Sequence, residues 1–277
     1  MQIGRRTAVA ALGAAVAACT TRTASYVEPR PRVSPNTRPT ILTATPAVDG
    51  QGARVFRLFP QRGADHHDPF VLLDDFRVAP PAGFPTHPHR GFEAFTYMLD
   101  GAFHHTDTLG NDSIVTTGGT QRFTSGRGAY HSEMPGAQQI NRGLQLWVNL
   151  PSALKRIDPE YEAVHAPDLP AGGRGALETR TVAGGASPVS FRIPVDYVDV
   201  RARARAEWQH TVAEGHRGLV YVTDGLVKVG DLDVRETQAA LVRAGELGVR
   251  AEPGSRFVLI AGLALDEPIR QRGPYVD

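Results

Sequence analysis

The segment Thr86-His87-Pro88-His89-Arg90-Gly91-Phe92-Glu93, with His131-Ser132-Glu133-Met134-Pro135 further along, constrains this 277-residue chain more than any other feature. Side chains at i and i+2 of a strand share a face. His87 and His89 are therefore one pair of donors, and His131 and Glu133 a second. Two strands that bring these faces together enclose three imidazoles and a carboxylate. Neutral imidazole suits iron, copper, nickel, zinc and manganese, and a carboxylate adds a hard anionic donor. Four protein ligands around a six-coordinate metal leave two positions open, which suits dioxygen and a chelating substrate. A structural zinc site is more often closed and rich in cysteine, and this chain has one cysteine. Glu93 has the same strand parity as His87 and His89, so parity alone does not choose between Glu93 and Glu133. His104 and His105 are adjacent, so at most one points inward, and that one reads as a support for the site.

Charge excludes one class of partner. Basic and acidic residues are balanced at 30 and 29, which leaves no electrostatic footprint for nucleic acid. Arg201, Arg203 and Arg205 alternate at strand period and read as a solvated edge. Residues 1–19 read as an export signal. Arg5-Arg6 precedes an uncharged small-apolar run from Ala8 to Ala18, too short to span a bilayer as a helix. The twin arginine points to the Tat route, although Thr7-Ala8-Val9 matches its consensus loosely. Val16-Ala17-Ala18-Cys19 resembles a bacterial lipobox, so Cys19 is the expected lipidation site and the expected location is extracytoplasmic and membrane-anchored. The alternative is a cytoplasmic protein with an accidental apolar start. With Cys19 the sole cysteine, no internal disulfide and no thiolate metal ligand is expected.

From about Thr40 onward, short β-rich runs alternate with turn residues, which favours a sandwich or barrel. Helix signals are few, and Ser152 is a candidate cap for a short helix at Pro151–Leu154. Tyr97-Met98-Leu99-Asp100-Gly101 echoes Tyr221-Val222-Thr223-Asp224-Gly225, each with Asp-Gly at an expected hairpin turn. The repeat predicts an all-β chain of two antiparallel barrels in tandem. The expected division is a flexible tether at 20–44, a metal-binding domain at 45–165, a linker at 166–187 and a metal-free domain at 188–277. Sliding the first motif onto the second puts Thr211 and Ala213 where His87 and His89 stand, and Arg217 opposite Glu93. His210 and His216 are not spaced to replace the ligand set.

Several segments together resemble the pirin family: Thr86 to Gly101, Asp107 to Asn111, Ser125 to Gly128 leading into His131–Pro135, and Leu146 to Pro151. Glu267-Pro268-Ile269 and Gly273-Pro274-Tyr275 resemble the family's C-terminal ending. The resemblance covers residues 45 to 277 and is most specific over 86–151. It implies a bicupin with a metal in the N-terminal barrel only, held by His87, His89, His131 and Glu133. Glu93 matches a position that does not usually bind the metal. It implies iron, Fe(II), with other divalent transition metals as alternatives. Several bacterial members resemble quercetin 2,3-dioxygenases, so the expected activity is ring cleavage of a flavonol-like aromatic by dioxygen. Glu133 is then the expected proton acceptor and Glu93 the fallback base. Phe92, Phe95, Phe103 and Phe123 are candidates for an apolar pocket wall. Other members act as redox-sensitive regulators or protein-binding partners. The alternative function is therefore a non-catalytic iron-binding module that senses redox state or docks to a protein at the cell envelope. An export signal departs from the family and weakens a transcriptional role. Metal identity, physiological substrate and oligomeric state are open at this level.

Overall fold

The computed structural model describes residues 40–277. The expected export signal, Cys19 and the tether as far as residue 39 lie outside the described residues. Runs rich in valine, phenylalanine, tyrosine and threonine suit a pleated, half-buried surface. They form β1 (Ile41–Thr43), β2 (Thr45–Asp49), β3 (Ala53–Phe59), β4 (Phe70–Val78), β5 (Phe84–His89) and β6 (Phe92–Asp100). There follow β7 (Ala102–Asp107), β8 (Asp112–Thr116), β9 (Thr120–Thr124), β10 (Ala129–Pro135), β11 (Asn141–Asn149) and β12 (Glu160–Val164). The second half holds β13 (Ala171–Gly172), β14 (Leu177–Ala183), β15 (Val195–Ala202), β16 (Ala206–Asp224) and β17 (Leu226–Val229). It continues with β18 (Leu232–Arg235), β19 (Gln238–Ala251), β20 (Arg256–Leu263), β21 (Gln271–Arg272) and β22 (Tyr275–Val276). The helix signal at Ser152 yields a single 3-10 turn, Ser152–Leu154, without a side-chain cap.

In the first half a seven-stranded sheet, β12-β9-β6-β11-β4-β3-β2, faces a four-stranded sheet, β5-β10-β7-β8. Phe76 of β4 stacks on Phe103 of β7 across the gap, ring centroids 4.5 Å apart. The second half is a nine-stranded antiparallel sheet, β13-β14-β15-β20-β16-β19-β17-β18, with β1 added on β19. Its interior is filled by Val200, Val220, Val222, Val249, Phe257 and Leu259. The fold is thus the expected pair of tandem antiparallel cupin barrels. The two Asp-Gly turns are equivalent: Gly101 and Gly225 both sit at φ +78°, a left-handed conformation open to glycine at no steric cost.

Strand β6 joins the two halves through its alternation. Phe92, Ala94 and Met98 pack into the first barrel. Phe95, Tyr97 and Leu99 point the other way, into a core shared with Tyr197, Tyr221 and Ile260 of the second. Two buried carboxylates pin this contact. Asp199 accepts hydrogen bonds from Arg256 (Nε 2.9 Å, Nη2 2.8 Å) and from the Tyr97 hydroxyl at 2.8 Å. Asp75 accepts from Arg142 at 3.3 and 3.1 Å and, across the contact, from the Tyr221 hydroxyl at 3.3 Å.

Both ends of the described residues cross over. Residues 41–43, expected within the tether, form β1 and pair with β19 of the second barrel. The stretch expected as a linker carries β14, which pairs with β15. Its charged centre, Glu178-Thr179-Arg180-Thr181, is half-exposed, so it lacks the apolar alternation that marks a strand in the sequence. At the other end Val276 donates its backbone N–H to the Arg90 carbonyl at 2.9 Å, and Arg90 lies over the Tyr275 ring at 4.9 Å. Gly91, φ +86°, allows this approach: a Cβ there would collide with the Val276 carbonyl.

Arg256→Met strands the buried Asp199 charge and is expected to cost about 3–5 kcal/mol, read as a lower urea midpoint. The double variant Arg256→Met, Asp199→Leu, which removes both charges, should recover part of that loss.

Candidate metal centre

Strands β5 and β10 run antiparallel with His87 opposite His131 and His89 opposite Ala129. The donor nitrogens of His87, His89 and His131 lie within 4.8 Å of one another. His87 Nε2 is 3.1 Å from His89 Nε2 and 3.1 Å from His131 Nε2. His87 Nδ1 is 2.8 Å from the Pro85 carbonyl. Donation from that Nδ1–H leaves the Nε2 lone pair turned toward the other two rings. His89 and His131 are buried and His87 half-buried. Three ring nitrogens converging in a place largely closed to water need a common partner. Their spacing is that of donors in neighbouring positions around one cation with bonds of about 2.0–2.1 Å. The three histidines therefore fit a transition metal.

The ring planes are set by packing. His131 lies flat on Phe123, centroids 4.6 Å apart at 9°. His89 meets Phe92 and Trp147 edge-on at 4.8 and 4.9 Å. Burial, and then the neighbouring His87, pushes the His89 imidazole down to about 3. Burial and the surrounding rings push His131 well below the usual histidine range. Both rings therefore stay neutral at ordinary pH, the state that binds metal.

Of the adjacent pair, His105 is the inward one. It is buried beside His131 at 5.3 Å, bonded through Nε2 to Asp107 at 3.0 Å and stacked on Tyr161 at 4.0 Å. His104 faces solvent and pairs with Asp112.

The two glutamates part company. Glu133 lines a cavity of about 690 Å³ together with His87 and His89. Its Oε1 accepts from Thr96 Oγ1 at 2.7 Å and Gln121 Nε2 at 2.5 Å, and its Oε2 is 3.3 Å from Gln145 Nε2. Glu93 does not line that cavity, which corrects its expected role as fallback base. It is wholly buried on the opposite face of β6. There it accepts from Arg122 at 3.0 Å, Thr124 at 2.8 Å and the Arg192 backbone N–H at 2.8 Å. The parity reading fails because the chain turns at Gly91 and enters another sheet, so counting does not carry from His89 to Glu93.

The phenylalanines divide in the same way. Phe103 lines the cavity, and Phe92 and Phe123 back the histidines. Phe95 is not a pocket wall. It points into the core between the barrels, against Phe191 and Tyr197.

Sequence reasoning missed the floor of the cavity. Gln121, Thr96, Gln145, Asp74 and Arg57 are register partners in turn across β9, β6, β11, β4 and β3. They form one polar row inside the barrel. On one side of it runs the apolar row Leu72, Trp147, Ala94, Phe123, and on the other Phe76 and Met98. The signal was a single polar residue at an inward position of an otherwise apolar strand: Thr96 in Phe92–Leu99, Gln145 in Leu144–Val148.

Residues 52–148 match the family model of pirin, and residues 197–277 that of the pirin C-terminal cupin domain. A pirin-like protein of Solanum lycopersicum is 39% identical over 238 residues, covering 82% of this chain and 82% of its own. A Pseudomonas aeruginosa protein described as a candidate quercetin 2,3-dioxygenase is 38% identical over 256 residues, covering 84% and 89%. A solved structure of a quercetin 2,3-dioxygenase from Acinetobacter baumannii superposes with a TM-score of 0.78 at 31% identity, covering 86% of this chain and 90% of its own.

The depressed histidines make the metal-free protein sensitive to acid. An unfolded imidazole takes a proton near 6.5, and the folded His131 does not. The unfolded state then binds more protons, so stability is full above that pH and falls below it. The slope is about 1.4 kcal/mol per pH unit for each such histidine. Urea unfolding of the metal-free protein between pH 6 and pH 4.5 should show a slope shallower by about that amount in His131→Asn than in the parent. Equal slopes would place the missing proton elsewhere.

Proposed function

The chain belongs to the pirin family, and from that premise we propose that it is an iron-dependent dioxygenase that opens the ring of a flavonol-like aromatic. The observation that carries the reading is the convergence of three imidazoles beside a cavity that Glu133 and flat apolar side chains also line. The 31% identical Acinetobacter baumannii structure described as a quercetin 2,3-dioxygenase supports the choice of substrate class.

His87, His89, His131 and Glu133 would hold the metal. When bound, it supplies Lewis acidity toward a hydroxyl–carbonyl pair and an electron-exchange partner for dioxygen. The chain's own residues do the rest. Pro85 O, Phe123 and Trp147 hold the imidazoles in one orientation, which keeps three donors aimed at one point. Leu72, Phe103 and Trp147 keep water off a planar ring. Glu133 takes the substrate hydroxyl proton at Oε2, the oxygen left with only a long contact to Gln145. Thr96 and Gln121 hold Oε1 and so fix the carboxylate's direction. Proton transfer to a carboxylate placed this way typically contributes about a hundred- to ten-thousand-fold in rate.

The test is oxygen consumption by the chain from Thr20, reconstituted anaerobically with Fe(II) and given quercetin. Uptake should vanish in His131→Ala. Glu133→Gln should lower it by at least about a hundredfold, with bound iron measured separately. Full uptake in an iron-loaded Glu133→Gln variant would remove the proton-acceptor role. No uptake by the iron-loaded parent would remove the flavonol reading.

We also propose that the chain is exported by the Tat route and anchored through a lipid on Cys19. The support is Arg5-Arg6, the uncharged run that follows and the lipobox-like Val16-Ala17-Ala18-Cys19. Tat export moves folded proteins, so iron would be loaded before the protein meets competing metals outside. Cys19→Ala should release the protein from the membrane fraction, and continued fractionation with membranes would exclude the anchor.

A further inference from the structure

The polar row on the cavity floor ends at a cluster with no part in holding metal. Arg57 lies on β3 with Asp74 beside it on β4 and Asp49 at the end of β2, and all three line the cavity. Arg57 donates through Nε to Asp74 Oδ1 at 2.9 Å and through Nη2 to Asp74 Oδ2 at 2.7 Å. The same Nη2 donates to Asp49 Oδ2 at 2.5 Å. Among the described residues, Nη1 carries no hydrogen bond. Both oxygens of Asp74 are taken by Arg57. Asp49, half-exposed, keeps lone pairs free beyond its contacts with Arg57 and the Gly50 backbone N–H.

Charge decides what such a cluster accepts. One guanidinium between two carboxylates leaves a net charge of about −1, so a substrate carboxylate or phosphate is repelled. A neutral hydroxyl is not. It can donate to Asp49 and accept from Arg57 Nη1. Two vicinal hydroxyls on a ring satisfy both groups at once. The position also fits. Gln145, which touches Glu133, lies two strands from Arg57 in the same row, about 10 Å away at the usual strand spacing. A flat molecule with its head at the histidines would lie along the polar row, its faces against the apolar rows on either side.

We propose that Arg57 and Asp49, with Asp74 holding the guanidinium in place, form a specificity site for vicinal hydroxyls at the end of the substrate remote from the metal. It rests on the reading of this cavity as a flavonoid-type site, and it adds which member of that class is preferred. The carboxylate that holds Arg57 is itself buried, so the guanidinium is preorganised and little freedom is lost when a hydroxyl arrives.

The test is binding to the metal-loaded full chain, read by tryptophan fluorescence. Trp147 lines the cavity, whereas Trp208 packs inside the second barrel. Quercetin carries two vicinal hydroxyls on its pendant ring. Galangin has the same fused-ring head and a bare pendant ring. Quercetin should bind at least about tenfold more tightly, because galangin leaves polar groups of the cavity unpaired. The ratio of the two dissociation constants should fall toward one in Asp49→Asn and in Arg57→Met. Arg57→Met strands the buried Asp74, so the half-exposed Asp49→Asn carries the test if the methionine variant does not fold. Equal affinities in the parent, no binding of either compound, or an unchanged ratio in Asp49→Asn overturns the proposal. Oxygen uptake measured alongside separates it from the reaction itself. A hydroxyl preference without uptake leaves the site standing and removes the dioxygenase reading. Uptake with equal affinity and equal kcat/KM for both compounds removes the site alone.

Discussion

Strand β6 has no solvent side. Phe92, Ala94 and Met98 fill the first barrel, while Phe95, Tyr97 and Leu99 fill the contact with the second. Each large apolar side chain buried in this way contributes roughly 1.5–3 kcal/mol, so the sheet is held from both faces at once. A one-residue slip would put Glu93 and Thr96 on the wrong sides and strand Phe95 among polar neighbours. The register of the cavity floor is thereby as firm as the core itself, and the histidines of the facing sheet meet a wall that cannot slide.

The second barrel is tied to the same constraint. Its interior is packed with valine, phenylalanine and leucine, and among the described residues the converging donors lie in the first barrel. Its outer face instead covers Phe95 and Tyr97, and its Asp199 and Arg256 meet the Tyr97 hydroxyl. The two ends of the described residues reinforce the contact by crossing in opposite directions, β1 onto the second barrel and the C-terminal residues onto Arg90. Gly273 and Pro274 reach the cavity rim by this route. The second barrel therefore acts as scaffold and rim for the first, which explains how it can lack the ligand set without losing its place in the fold.

Inside the first barrel, the polar row is satisfied by its own neighbours. Thr96, Gln121 and Gln145 hold the Glu133 carboxylate, and Asp74 holds Arg57. A buried polar group without a partner costs about 1–3 kcal/mol, so a row of five is tolerable only because adjacent strands present its members to one another. Two places at the cavity keep polar capacity that the protein does not use up: the converging imidazole nitrogens at one end, which share only one another, and Arg57 Nη1 at the other. These are the places where a ligand adds bonds that the protein does not make for itself.

Much of this was legible in the chain alone. The spacing of His87, His89 and His131 marked the three imidazoles that converge, because strand alternation is a local property that survives in the sequence. Short apolar runs and the paired Asp-Gly turns gave two β-barrels. Tertiary structure decided what depends on residues distant in sequence becoming neighbours. Glu93 and Glu133 were equivalent by parity, and the turn at Gly91 sent Glu93 to Arg122 on the far side of a sheet. Phe95 and Phe103 were equivalent by composition, and the second barrel claimed Phe95. The alignment of Gln121, Thr96, Gln145, Asp74 and Arg57 comes from five strands of which only β3 and β4 are consecutive in the chain. No local pattern encodes that row: its members meet only when the pairing register is set by burial on both faces.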